Sequence, residues 1–250
     1  MTVPSRARDS VPAISATITI PSLDDLVAGN RAALVVGAAV LAALVVLARG
    51  SWRVARGVVT IAHEGGHAAV ALVSGRTLQR ILLHSDTSGV TVSRGRPDGA
   101  GMVATTFAGY AAPPLLGLGG AVLVASDAIE AMLGLAIVLL GATLILIRNV
   151  YGVVSVVATG AVVGLVIAYG SPSVQYAFAC FLTWLLILGG LRTVVEVQRK
   201  PVARRSPQSD ADQLERLTAV PARIWVALFG LVAVFSLIGA GRLLVGWPPG

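Results

Sequence analysis

The chain has a single cysteine, a single lysine, three histidines and 12 acidic residues among its 250, with 12% charged and 5% aromatic residues. One cysteine, Cys180, excludes an intrachain disulfide framework, and its apolar neighbours make it a small buried hydrophobe. So little charge excludes an ordinary soluble domain. What fills the space is apolar: 56% of the residues are hydrophobic and the mean hydropathy is +0.84. The surrounding medium is therefore lipid. A net charge of +7 and a pI near 10.7 would raise nucleic acid as a partner in a soluble chain. Here the arginines punctuate apolar runs, so they report orientation in a bilayer and no nucleic-acid partner is expected.

Seven runs are long and apolar enough to count as spans: residues 32–48, 54–73, 101–125, 128–147, 150–169, 174–191 and 224–245. The fold class expected is an all-α polytopic membrane protein of about seven transmembrane helices with a small cytoplasmic β-hairpin. Residues 1–30 lack a compact apolar core and a cleavage site, and read as an N-terminal cytoplasmic tail. Residues 31–250 form the membrane domain, with the hairpin at 76–97 and a cytoplasmic loop at 193–222. With the N-terminus in the cytoplasm, only Arg49, Arg53, Arg56 and Arg242 among the arginines fall outside, which follows the positive-inside rule. Arginine in place of lysine, with abundant Ala, Gly and Val, fits a GC-rich bacterial genome and a multi-pass plasma-membrane protein.

Two of the three histidines stand in "TIAHEGGHAAV", residues 60–70, inside the second span. Four residues apart on a helix, His63 and His67 share a face and can direct ring nitrogens at one metal ion, with Glu64 on the flank. Each ionisable group near the membrane centre costs about 2.5–3.5 kcal/mol on insertion scales, so three within five residues are not filler. Metal binding accounts for them. Two imidazoles do not complete a catalytic zinc site, which takes three protein ligands and leaves a place for water. Glu64 stands where it can take that water's proton. Gly65 and Gly66 each cost about 1 kcal/mol in a helix interior, which is understandable if another helix or a substrate strand approaches closely.

Three further stretches bear on the site. "ILLHSDTSGVTVS" alternates around a polar turn and reads as a hairpin whose edge could accept an extended peptide. "FAGYAAPPLLG" puts Pro113 and Pro114 in mid-span, where freed carbonyls require protein or a water-filled cavity as neighbour. "SDADQL" lies within a charged segment. There Ser209 is a helix cap, and Asp210 stands where the chain returns to the membrane on the histidines' side, which makes it the choice for third ligand. Asp212, Asp86 and His84 remain competitors on spacing alone. Asn149 is a polar group near the inner face, read as a helix-turn residue rather than an oxyanion contact.

Taken together, the "HEGGH" helix, the "HSDTSG" hairpin and the "SDA" element resemble the site-2 protease class of intramembrane zinc metallopeptidases, in a compact bacterial branch, over about residues 55–245. The resemblance implies one Zn2+ per chain, held by His63, His67 and Asp210, with Glu64 as general base. It also implies a transmembrane protein substrate cut in or near its membrane segment, with the active site toward the cytoplasmic side. Better-known members set their aspartate in Leu-Asp-Gly or Pro-Asp-Gly, whereas Ala211 follows Asp210 here, and no PDZ-like insertion is present. The alternative is a non-hydrolytic zinc-binding membrane protein or a metal transporter. A transporter needs ligand sets along a route, and the other spans carry almost no carboxylates or histidines.

Overall fold

The structure, a computed structural model, describes residues 30–199 and 209–246; the N-terminal tail of the sequence reading lies outside them. Among the described residues, eight helices and one hairpin follow in order: α1 (Arg31–Leu47), α2 (Arg49–Val73), β1 (Thr77–Leu83), β2 (Gly89–Arg94), α3 (Ala100–Ala125), α4 (Ile129–Leu146), α5 (Val150–Tyr169), α6 (Pro172–Arg199), α7 (Asp210–Thr218) and α8 (Ala222–Val245). Among the described residues, α3, α4, α5, α6 and α8 are each long and apolar enough to cross a bilayer, and α1 with α2 makes a sixth only as a pair bent by 104°. Leu47, Val54, Val73, Ile145, Val150 and Phe235 are largely exposed, as lipid-facing side chains are.

Hydropathy along the sequence counts seven runs, where the structure offers five such helices and the bent pair, and the difference lies in α2. The chain breaks at Ala48, whose backbone is extended, and the Ser51 hydroxyl donates to the Val45 carbonyl freed by the break (2.9 Å). Trp52 Nε1 then donates to Glu196 near the end of α6 (2.9 Å), and Arg56 pairs with the same carboxylate (3.5 Å). At its other end α2 meets the start of α3, where Ser74 lies against Gly101. Helices α3 and α6 are antiparallel, Gly120 against Thr183 and Gly190 against Pro114, so the end of α6 and the start of α3 lie at one end of the bundle. Both ends of helix α2 therefore lie toward that end of the bundle, with its half-polar sequence packed along α3 and α6.

Arg31, at the start of α1, pairs with Asp127 in the α3–α4 turn (3.1 Å) and lies over the Tyr176 ring near the start of α6. That end of the bundle is opposite the one where the hairpin packs, beside the α4–α5 connection. Arg49, Arg53 and Arg56, apparent exceptions to the charge rule, instead join Arg192 and Arg199 around one cavity with Asp86 and Thr87 of the hairpin.

The hairpin is antiparallel, with Leu83 opposite Gly89 and Ile81 opposite Thr91. Its β1 edge is closed by the α4–α5 connection: Arg148 N–H donates to the Ile81 carbonyl (3.1 Å), and the Asn149 amide brackets Leu83, accepting from its N–H (3.2 Å) and donating to its carbonyl (2.6 Å). An added peptide strand at that edge, one reading of the sequence, meets an occupied position. Asn149 acts as a strand partner and makes no side-chain cap on α5.

Candidate metal centre

The motif residues 63–67 sit in the middle of α2, which packs closely along α3. Gly66 makes the approach possible: a Cβ there would lie 2.8 Å from the Ala108 carbonyl and against the Ala112 methyl. Gly65 needs no such explanation, since a Cβ would make only ordinary contact with Thr143. Pro113 and Pro114 are buried against protein, Pro114 beside Gly190, as prolines within a membrane helix require.

His63 and His67 point their Nε2 atoms at each other across 3.1 Å. His67 is oriented from behind by the Thr105 carbonyl, 2.7 Å from Nδ1; that bond puts the ring proton on Nδ1 and turns the Nε2 lone pair into the site. The rings of Tyr110 and His63 meet in a T-shaped contact, 4.8 Å between centroids.

The third member is Asp210. Its Oδ2 lies 3.2 Å from His63 Nε2 and 3.3 Å from His67 Nε2. Helix α7 starts here because Ser209, extended, caps it by accepting from the Asp212 N–H (3.3 Å). Ala211 and Leu214 anchor the helix in a cluster with Val194, Val226 and Phe229. Trp225 Nε1 to Thr218 (3.3 Å) and Ala222 N–H to Glu215 (3.2 Å) fix it against α8. Burial alone would push the Asp210 carboxyl up, but the facing imidazoles of His67 and His63 outweigh it and hold it well below the usual carboxylate range.

Three donor atoms separated by 3.1, 3.2 and 3.3 Å fit one small ion. Bonds of about 2.0–2.1 Å in a tetrahedral zinc site set ligand atoms roughly 3.3 Å apart. Two further observations support the fit. Asp210 Oδ2 is buried with no hydrogen-bond partner of acceptable geometry. Gly109 of α3 also leaves the space open, because a Cβ there would fall 2.6 Å from His63 Nε2 and 2.5 Å from His67 Cε1. Among the described residues this is the one group of three or more His, Cys, Asp or Glu side chains able to hold a metal.

The competing ligands lie elsewhere. His84 and Asp86 belong to the exposed hairpin turn, where Ser88 donates to the Asp86 carboxylate from both its hydroxyl (2.6 Å) and its N–H (2.9 Å) and holds it below the usual carboxylate range. Asp212 accepts from the Ser209 hydroxyl.

With this geometry in place, comparison with known families is decisive. The description "Peptidase M50B-like" matches residues 36–240. The chain belongs to the M50B-like peptidase family, of the site-2 protease class. Neither a curated protein nor a solved structure matches it. The family match runs from within α1 to within α8, so the bend between α1 and α2, all of α2 and the short α7 lie within the peptidase region. An M50B-like peptidase is a membrane metallopeptidase, and the apolar helices are those of a multi-pass membrane protein.

Glu64 stands apart from the three donors in its surroundings. It is 3% exposed, and its carboxylate is turned to strand β2, where the Thr91 hydroxyl donates to Oε2 (2.6 Å) and Gly89 lies against Oε1. Sequence reasoning missed Thr105, Gly109, Gly89 and Thr91. The only available signal was a glycine or threonine in an otherwise apolar or alternating run, which many unrelated positions share.

Proposed function

We propose that this M50B-like peptidase is a zinc-dependent intramembrane endopeptidase that hydrolyses a peptide bond in or near a transmembrane segment of its protein substrate. The observation that carries the reading is the convergence of His63 Nε2, His67 Nε2 and Asp210 Oδ2 within 3.3 Å of one another, beside a buried glutamate on the same helix. These three residues would hold one Zn2+ per chain. When bound, the zinc supplies a Lewis acid for the scissile carbonyl and brings the pKa of water toward about 7.

The protein's own groups do the rest. Glu64 accepts the proton of the attacking water and passes it to the leaving amine. Thr105 keeps His67 in the tautomer that offers Nε2. Helix α7 brings the only carboxylate of the ligand set from outside the membrane helices, so its docking completes the site.

The orientation follows from charge. Most described arginines stand at the hairpin end of the bundle, with Arg31 and Arg242 at the other, so the positive-inside rule puts the hairpin and the metal centre toward the cytoplasm and the start of α1 outside.

The test is comparative proteomics of cells carrying the wild type or Glu64→Gln. Membrane-protein fragments that vanish in the variant, while the purified variant retains its zinc, are the expected result. An unchanged fragment pattern would overturn the hydrolytic reading and leave a zinc-binding membrane protein.

A further inference from the structure

We propose that strand β2 of the hairpin positions Glu64, with the Thr91 hydroxyl fixing its carboxylate and Gly89 providing the room that carboxylate occupies. This rests on Glu64 being the general base. A carboxylate that is 3% exposed needs a donor, and among the described residues Thr91 Oγ1 is the one that supplies a hydrogen bond, to Oε2 at 2.6 Å. The same hydroxyl lies 3.2 Å from the Glu64 backbone carbonyl, but it has one hydrogen, and the shorter contact to the charged acceptor takes it. The opposite side of the carboxylate is set by Gly89. A Cβ there would fall 2.5 Å from Oε1, 2.6 Å from Cγ and 2.7 Å from Cδ. The Gly89 φ is not in the left-handed region, so the backbone would accept alanine, and the three atoms its Cβ would meet first all belong to Glu64.

A hairpin can orient a base only if it is itself held, and this one is held on both flanks. The Thr60 hydroxyl, one helical turn before Glu64, donates to the Thr87 carbonyl in the hairpin turn (2.9 Å). On the far edge, Arg148 and Asn149 secure Ile81 and Leu83. Strand β2 therefore stands at a fixed height along α2, with Thr91 and Gly89 on either side of one side chain. Support of this kind around a metal site commonly governs activity without touching the metal.

The experiment uses the full-length protein and combines unfolding with cleavage. Gly89→Ala and Thr91→Val are each expected to lower the thermal unfolding midpoint of the purified protein, and to do so far less in a Glu64→Ala background, because the strain and the lost hydrogen bond both act on that side chain. In cells, Thr91→Val should slow formation of the Glu64-dependent fragments by about 10- to 100-fold with zinc content unchanged, and Thr91→Ser should restore it to within about threefold.

Unaltered cleavage in Thr91→Val beside abolished cleavage in Glu64→Gln overturns the positioning role and leaves the base assignment standing. Retained cleavage in Glu64→Gln overturns the base assignment, and the positioning role with it. Destabilisation of equal size with and without Glu64 overturns the proposal as well, since Thr91 and Gly89 would then serve the fold alone.

Discussion

Asp210 Oδ2 lies 3.3 Å from His67 Nε2, joining the first residue of a nine-residue helix to the middle of a helix that begins and ends on the same side of the bundle. Everything proposed for the site depends on that meeting. The His63–His67 pair follows from local helical geometry, whereas the carboxylate arrives only because α7 packs on α3 and α8.

Metal binding is the first expectation. The purified protein should carry about one zinc per chain, and His63→Ala or His67→Ala should strip it, since two remaining ligands hold the ion poorly. Metal analysis by mass spectrometry decides the matter, and full zinc retention in both variants would remove the site.

The two aspartates of α7 should behave differently. Asp210→Asn is expected to lower zinc occupancy and abolish cleavage. Asp212→Asn should leave zinc in place and lower the unfolding midpoint slightly, because Asp212 faces the Ser209 cap. Equal loss of zinc in both would mean that the phase of α7 is not the one described.

Gly109 gives a steric test that leaves every ligand intact. An added methyl would intrude on both imidazoles, so Gly109→Ala should lose metal affinity by about tenfold or more, on the scale of disrupted support around a metal. Gly119→Ala, where nothing lies within 4 Å of the new methyl, should leave zinc unchanged and add up to about 1 kcal/mol of helix stability. Isothermal titration with Zn2+ and thermal melts of the two variants check both.

Topology can be read with thiol chemistry in a Cys180→Ala background. A cysteine at Ser126, exposed in the α3–α4 turn, should react in intact cells with an impermeant reagent, and one at Ser85, exposed in the hairpin, should react only after lysis. Labelling in the reverse sense would invert the bundle, and labelling of both from outside would overturn the proposed orientation.

Much of this protein is written locally in its sequence. Scarce charge and long apolar runs determine the medium, because no soluble core can bury so much hydrocarbon. A spacing of four puts His63 and His67 on one face of any helix, with Glu64 beside them. Alternation around "SDTSG" makes a hairpin wherever it occurs. Such features rest on periodicities of a few residues, so no distant partner is needed to see them.

The tertiary structure decided the rest. Hydropathy measures how apolar a run is and carries no direction, so the 104° bend at Ala48 between α1 and the helix that carries the site was invisible. Asp210 and Asp212 are equivalent in composition and differ only in the phase of α7, which the burial of Ala211 and Leu214 sets. Gly89, Thr91, Thr105 and Gly109 acquire meaning only when their strands and helices are brought against α2. A glycine that makes room for a carboxylate and a threonine that holds it depend on contacts across the fold, which no spacing along the chain records.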